Sequence, residues 1–449
     1  MCNRDVAGMN RVWVGAKYGC LIPLAMSILF AGCDFGSLLE VELPGQIPVA
    51  SLDDPGLAET LVQSVVADFE CAWDNYVAAA AIHSDEFIHT SSNVENRQWG
   101  QRRIPSFQFE LGQAQCNQGY GLYTPLQTAR FQANSNFDRL EGFATEEVPG
   151  KRALQAVVRA YGAYALVALG EGFCEMALDQ GPLMQPAEVL ARAESQFTEA
   201  LELAGSSGST DIRNMSLIGR ARVRLNLGDF AGAISDAEGV SQGYLKVAAR
   251  SGEHSALENS HCQRVNCSGP LGSMQGRVSE GYWNLEWRGV ADPRVNVQST
   301  GQIGGVGQQH YFHTKVRTLD ADVPIASYKE AQLIIAEAAV RSGDIDRARS
   351  IINERHSLVS LPPFDEAGTA SHDEVLAHVL EERRRELFAE GGHRLNDMLR
   401  FRGTAFEIPF LGEPGSDHPD GLDIVSLPYG NTTCLPLPDV ERQTNPNLS

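Results

Sequence analysis

The chain has 449 residues, of which 43% are hydrophobic and 8% aromatic, and it carries a formal net charge of -21. This composition is typical of a folded globular protein, and the length allows two or three ordinary domains or one larger body. The acidic balance argues against duplex DNA, RNA or an anionic membrane surface as a partner, so we expect no nucleic-acid ligand.

The first 33 residues have the pattern of an export signal. Three basic residues precede an uncharged apolar run that is too short to span a bilayer as a helix of about 20 residues. The run ends in "FAGC", which resembles the lipobox of bacterial lipoproteins, where cleavage frees the cysteine for acylation. We expect a lipoprotein signal peptide at 1–32, acylation of Cys33 and a lipid-anchored tether at 33–50. The alternative is an ordinary secreted protein with a chance cysteine.

Six cysteines follow Cys33, an even number that permits disulfides in an exported protein. Cys262 and Cys267 are the preferred local pair, because the loop between them is short. Zinc is the competing interpretation, with His254 and His261 nearby. No second cluster of cysteine and histidine accompanies them, so the sequence favours a disulfide and predicts neither a metal site nor a cofactor.

Helical patterns cover residues 57–83, 124–143 and 151–170. Between the first two, residues 84–123 lose this periodicity and gather polar and aromatic side chains. Such a long excursion is often functional. A larger one, roughly 243–320, also lacks helical periodicity, and we expect it to fold as loops with short strands.

Two stretches further along the chain echo each other. Each has an alanine seven residues before a Gly-Asp turn and another five residues after the glycine: Ala221, Gly228 and Ala233 in the first, Ala336, Gly343 and Ala348 in the second. Small residues at those places let two antiparallel helices approach closely, and the glycine ends the first helix, as in tetratricopeptide-type pairs. The copies lie far apart, so large insertions must interrupt a helical scaffold.

Residues 373–390 are predicted to form one helix, with Ser371 as its N-cap and Glu374 completing a capping box. Arg383 falls between leucines on the apolar face. We therefore expect it to meet a buried carboxylate or helix-end carbonyls, with Glu386 as an i,i+3 partner. The arginines of this segment are interleaved with carboxylates, which favours an architectural role over a phosphate site.

Three separated stretches together resemble the SusD/RagB family, the lipid-anchored nutrient-binding proteins that partner TonB-dependent transporters in the outer membrane of Bacteroidota-type bacteria. They are "VPIASYKEAQLIIAEAAVRSGDIDRARSIINERH", "LEERRRELFAEGGHRLNDMLR" and "CLPLPDVERQTNPNL". Ser327 departs from the family, which usually has an arginine at that place. The resemblance implies a mostly α fold: a tetratricopeptide-like scaffold of helical pairs with large loop-rich insertions, SusD-like in architecture. It also implies a single domain over 51–449, with the insertions near 84–123 and 243–320.

A carbohydrate site needs exposed aromatic faces for the apolar sides of sugars and polar side chains for the hydroxyl rim. Two stretches within the insertions have that mixture. The candidate ligand-binding residues are Asn96, Trp99 and Arg102 in "ENRQWGQRR", and Tyr282, Trp283, Asn284, Trp287 and Arg288 in "GYWNLEWRG". In the alternative interpretation these tryptophans anchor irregular loops onto the scaffold, and a peptide could use the same groove as a glycan.

No protease, esterase or phosphate-loop motif is found, so we expect no enzyme and no catalytic residue. The resemblance implies a cell-surface, outer-membrane lipoprotein that captures an oligosaccharide or another oligomeric nutrient and delivers it to a SusC-like TonB-dependent transporter. The alternative is a tetratricopeptide-type envelope scaffold that binds protein partners. Asp34, directly after the acylated cysteine, leaves the membrane leaflet open, because in some bacteria this position retains lipoproteins at the inner membrane.

Overall fold

The computed structural model describes residues 49–114, 121–269 and 272–448 of the chain, and Ala50–Ser449 form one compact unit. The expected signal peptide at 1–32, the acylated Cys33 and all but the last two residues of the tether lie outside the described residues.

The fold is mostly α. The helices are α1 Ala58–His83, α2 Val94–Gly100, α3 Phe109–Gly112, α4 Tyr123–Gly142, α5 Lys151–Gly172, α6 Pro186–Ser207, α7 Thr210–Leu227, α8 Phe230–Glu238, α9 Tyr328–Arg341, α10 Ile345–Leu358, α11 His372–Glu386, α12 His393–Arg400 and α13 Asp439–Thr444. The strands are short: β1 Phe87–His89, β2 Met176–Ala177, β3 Leu183–Met184, β4 Leu245–Ala248, β5 Gly276–Val278, β6 Glu286–Trp287, β7 Val290–Ala291, β8 Val297–Ile303, β9 Gln309–His313 and β10 Val323–Ser327.

Helices α4 to α10 form the scaffold, because each packs against the next one along the chain. Small residues make the close approaches possible. At Gly219 of α7, for example, an added Cβ would lie 2.2 Å from the ring of Phe197 on α6. In the described part of the chain, α5 alone is long and apolar enough to cross a membrane, but 78% of that stretch is buried inside the fold. It is the central helix of the core.

Both Gly-Asp turns have the same local structure. Gly228 and Gly343 adopt left-handed backbone angles, φ +83° and +91°, that a residue with a Cβ tolerates poorly. The aspartate that follows each glycine caps the next helix: Asp229 accepts a hydrogen bond from the N–H of Gly232, and Asp344 from that of Arg347. The four alanines of the echo are fully buried. The helical pairs predicted from the echo are thus confirmed.

The two insertions contain the named strands other than β2, β3 and β10, and they meet each other. Within the described residues, the named strands form two-stranded antiparallel sheets. Strand β1 of the first insertion pairs with β5 of the second, Phe87 opposite Val278. Strand β4 pairs with β10, which leads directly into α9. The insertions therefore form one surface beside the helical scaffold.

Disulfides hold two of the irregular segments. Cys262 and Cys267, the pair that the sequence favoured, are bonded across a short helical turn. Cys174 and Cys434 join the end of α5 to the C-terminal segment, where the N–H of Leu435 donates to the carbonyl of Gly172.

Helix α11 is shorter than predicted, because the chain leaves the helix at Leu387 and turns through Ala389, which has φ +56°. The capping box of Ser371 and Glu374 is present. Arg383 is 3% exposed, and its Nε donates to Asp397 at 2.8 Å, so the expected buried carboxylate is found.

The prediction that Arg383 pairs with Glu386 at i,i+3 spacing is wrong. Glu386 instead accepts from Arg294 and Arg355, because these side chains reach it from the neighbouring segments while Arg383 turns inward. Glu337 of α9 adds a second carboxylate 3.5 Å from Arg383. The buried face of α11 is therefore an ion network that joins α9, α11 and α12.

Candidate functional site

The outward face of α11 forms the floor of a groove. Positions three, four and seven residues apart share one side of a helix, and here these positions are Glu374, Ala377, His378, Glu381 and Arg384. Two cavities, of about 540 Å³ and about 470 Å³, lie along this stripe and share Ala377 and Glu381. We call the two together the α11 groove.

The first cavity has an aromatic wall. Trp287 stands at the end of β6, where a two-residue turn with positive φ at Arg288 (+48°) and Gly289 (+78°) leads into β7. Its ring centroid lies 4.6 Å from that of His378 and 6.1 Å from that of Phe364, while Phe364 and His378 stack at 4.0 Å. Burial lowers the pKa of His378 to about 4, so the ring is neutral at pH 7.

The rest of the first cavity is polar. Arg288 is exposed, lies over the Trp287 ring and donates to the carbonyl of Phe364 at 2.8 Å. Asp365 and Thr369 complete the opposite side. An aromatic face edged by a guanidinium, a carboxylate and a hydroxyl can bind a pyranose ring or a peptide side chain of similar size.

The second cavity is lined by ion pairs. Arg394 donates to both carboxylate oxygens of Asp85, and Arg384 pairs with Glu381 at 3.0 Å. Burial by itself would raise the pKa of Asp85, but the charges of Arg394 and Arg384 outweigh that effect and hold it below its usual value. Phe406 adds an apolar side chain to the wall. Ligand hydroxyls would meet a rim of fixed donors and acceptors here.

Three of the predicted ligand-binding residues are buried, so their side chains have no exposed face for a ligand in this structure. The side chain of Trp99 is fully buried on α2 and donates to Glu110. Arg102, 3% exposed, donates to the carbonyls of Leu411 and Thr432. Trp99 thus holds the first insertion together, and Arg102 fastens it onto the C-terminal loops.

Tyr282 is also fully buried, and its hydroxyl donates to Asp85 at 3.2 Å. Its ring lies under the guanidinium of Arg384, 4.2 Å from the centroid. Tyr282 therefore supports the wall of the second cavity from behind.

The other predicted residues reach the surface to different degrees. Trp283 is half-buried, stacks on Tyr311 at 4.0 Å and donates to the carbonyl of Val278, while Asn284 is exposed and Asn96 half-buried. None of these three lines the α11 groove. Of the eight candidates, the structure places Trp287 and Arg288 in it.

Sequence reasoning missed most of the groove. Phe364 lies in the loop between α10 and α11, and Asp85 precedes β1, far away in the chain. The helical stripe of α11 was the available signal, since Glu374, Glu381 and Arg384 repeat at helical spacing and cannot all face the core. The partners that close the groove are brought together by tertiary packing alone.

Comparisons with known proteins agree with this architecture. Residues 277–449, which include α9 to α13, match the model of the SusD family. A search of curated proteins finds no match.

Solved structures extend the likeness over most of the chain. A SusD-like carbohydrate binding protein from Bacteroides vulgatus is 15% identical, with a TM-score of 0.64, and the alignment covers 88% of this chain and 97% of that one. A SusD superfamily protein from Parabacteroides distasonis is 13% identical, with a TM-score of 0.65, and the alignment covers 88% of this chain and 98% of that one. At these identities the likeness shows the fold. Residues 277–449, which carry α9 to α13, therefore match the SusD family, and the fold of the described chain is SusD-like.

Proposed function

We propose that the protein is a non-catalytic nutrient-binding lipoprotein of the cell surface, which captures an oligosaccharide or another oligomeric nutrient in the α11 groove. The observation that carries this proposal is the groove itself, where the half-buried ring of Trp287 adjoins fixed charged and polar groups. Two of the similar solved structures, from Bacteroides vulgatus and Bacteroides fragilis, are described as SusD-like carbohydrate binding proteins, which supports a glycan as the first ligand class to test.

The direct test is a fluorescence titration of the full-length protein in mild detergent against glycan and peptide libraries. A ligand in the groove should change the emission of Trp287. The Trp287→Ala variant lacks this reporter, so its affinity is measured by calorimetry, and binding should weaken by about 2 kcal/mol, or roughly 30-fold, as for a central aromatic contact. Trp283→Ala is the matched control, because Trp283 is also half-buried but lies outside the groove.

Each outcome of this titration has a meaning. Loss of binding in Trp287→Ala with retention in Trp283→Ala supports the groove and the ligand class that binds. The reverse pattern would place the ligand on the stacked rings of Trp283 and Tyr311 instead. No binding of any glycan or peptide would remove the nutrient-capture proposal.

Delivery to a TonB-dependent outer-membrane transporter is the second part of the proposal, and the match of residues 277–449 to the SusD family supports it. Affinity purification of the tagged protein from its host's envelope should recover a TonB-dependent β-barrel. Recovery of periplasmic or inner-membrane proteins alone would favour the alternative, a tetratricopeptide-type scaffold that binds protein partners. The stacked helical pairs α7/α8 and α9/α10 could form the binding surface of such a scaffold.

Anchoring through acylated Cys33 and an outer-membrane position remain part of the proposal. Mass spectrometry of the mature N-terminus should find a lipid-modified cysteine, and Cys33→Ala should release the protein from the membrane fraction. Separation of the two membranes then tests the leaflet. Inner-membrane retention that is relieved in Asp34→Ser would contradict a surface location.

A further inference from the structure

Three atoms of the kind that bind transition metals meet beneath the aromatic wall of the α11 groove. They are Nε2 of His356, Nε2 of His378 and Oε1 of Glu382, which lie within 4.8 Å of one another on buried residues. His378 and Glu382 are four residues apart on α11 and so lie on one face of the helix, while His356 comes from the last turn of α10. The packing of α10 on α11 brings the three together.

The spacing of these atoms fits one small cation. Nε2 of His356 lies 2.9 Å from Oε1 of Glu382 and 3.4 Å from Nε2 of His378, and the third side of the triangle is 3.7 Å. The circle through three points so spaced has a radius of about 2 Å, close to the length of a bond from zinc to nitrogen or oxygen. An ion bonded to all three atoms would therefore sit just outside their plane, as in a tetrahedral site with one open position.

The hydrogen bonds of His356 support the same arrangement. Its Nδ1 donates to the carbonyl oxygen of Pro362 at 2.7 Å, and since a carbonyl only accepts, Nδ1 carries a hydrogen, which is the only one in the neutral form of the ring. Nε2 then presents a lone pair to the carboxylate of Glu382, which is also an acceptor. A cation beside both would satisfy them, and a histidine oriented by a carbonyl on its other nitrogen is the usual arrangement around bound metals. A second proton on His356 is the competing way to satisfy the pair.

Glu382 is held in place by Arg294, which donates to Oε2 at 2.6 Å and to Oε1 at 3.2 Å. Oε1 keeps its second lone pair for a metal, because a carboxylate oxygen can accept twice. Arg294 also pairs with Asp292 at 2.7 Å and with Glu386 at 3.3 Å, carboxylates that Arg385 and Arg355 contact as well. The guanidinium thus orients the carboxylate of Glu382.

We propose that His356, His378 and Glu382 bind a zinc ion whose fourth coordination position opens toward the α11 groove. His378 lines the first cavity, so water or a ligand oxygen can reach the ion from there. Two imidazoles with one carboxylate favour zinc over calcium or magnesium, which prefer oxygen ligands alone. The inference does not depend on nutrient capture, because the ion would bind whether or not a glycan does.

The test uses the full-length protein, freed of metal by a chelator and then titrated with zinc and with cobalt(II). We expect one zinc per chain by mass spectrometry of the metal content, and a strong visible absorption from cobalt, because four-coordinate cobalt absorbs far more strongly than octahedral cobalt. His378→Gln should weaken zinc binding by more than about 100-fold, since loss of even an outer hydrogen-bond partner of a ligand costs about 10–100-fold. His372→Gln, an exposed histidine of the same helix, is the matched control.

Several results would overturn the proposal. Absence of the strong cobalt band in the wild-type protein is decisive by itself, whatever the variants do, and favours a proton on His356 in place of the metal. Equal zinc affinity in His378→Gln and wild type would place any bound metal elsewhere. If His378→Gln does not fold, His356→Gln provides the same comparison, and the wild-type cobalt spectrum still decides.

Discussion

Glu86 provides a quantitative test of how the insertions are joined to the scaffold. It is 3% exposed, and its carboxyl accepts the N–H of Ala389 at 2.8 Å, at the strained turn that follows α11. Burial raises the pKa of Glu86 to about 8, and the neighbouring charge of Asp85 adds to the effect. Glu86 is therefore protonated in the folded protein at neutral pH, whereas the same carboxyl in an unfolded chain is ionised above about pH 4.5.

The sign of the effect on stability follows from this difference in proton binding. At pH values between the pKa of Glu86 in the unfolded chain and its pKa in the folded protein, the folded state holds one more proton. The stability that Glu86 contributes is therefore complete below the pKa of the unfolded chain and falls as pH rises toward 8. The slope is about 1.4 kcal/mol per pH unit, which is about 2 kcal/mol between pH 6 and pH 7.5. Glu86→Gln keeps an acceptor for Ala389 and removes the titration.

The free energy of unfolding of both proteins is measured by chemical denaturation at pH 6 and at pH 7.5. The stability of Glu86→Gln relative to wild type should be about 2 kcal/mol higher at pH 7.5 than at pH 6. Glu202→Gln, an exposed change on α6, is the control and should follow the wild type. Parallel curves for Glu86→Gln and wild type would refute the assignment of a buried, protonated carboxyl at this turn.

Three further changes test the architecture through the free energy of unfolding. Gly392→Ala should cost more than about 2 kcal/mol, because φ is +68° and the new Cβ would lie 2.7 Å from an aromatic ring. Gly208→Ala should cost about 1 kcal/mol, because φ is +75° but no other atom lies within 4 Å of the new Cβ. Replacing Cys174 and Cys434 together by serine should cost about 2–5 kcal/mol under oxidising conditions. Ser371→Ala should cost about 1 kcal/mol through the lost N-cap, and an unchanged stability would contradict the capping box.

The helical scaffold could be predicted because its signals are local. A Gly-Asp turn needs only a glycine that tolerates positive φ and an aspartate that caps, and both copies satisfy this within a few residues of the chain. The partner of Arg383 was only half predictable. Its burial follows from the leucines beside it, but the choice of Asp397 over Glu386 depends on how α12 returns against α11.

The candidate site was harder to predict, because the tryptophans of the insertions look alike in sequence. Trp99 and Trp287 both stand among polar residues, yet Trp99 is buried on α2 while Trp287 stays half-buried beside the hairpin turn at Arg288 and Gly289. The difference comes from long-range contacts. Glu110 binds Trp99 and the C-terminal loops bind the nearby Arg102, whereas the neighbours of Trp287 leave one side of it open to a cavity.

Helix α11 explains why scaffold and site are inseparable in this fold. Its inward face carries Arg383 in the ion network with α9 and α12, and its outward face carries Glu381 and Arg384 along the groove. A rigid helix fixed by buried ion pairs holds its outward side chains in set positions, which lowers the entropy that a ligand must overcome on binding. Changes confined to the buried network should therefore weaken ligand binding even though no ligand touches them.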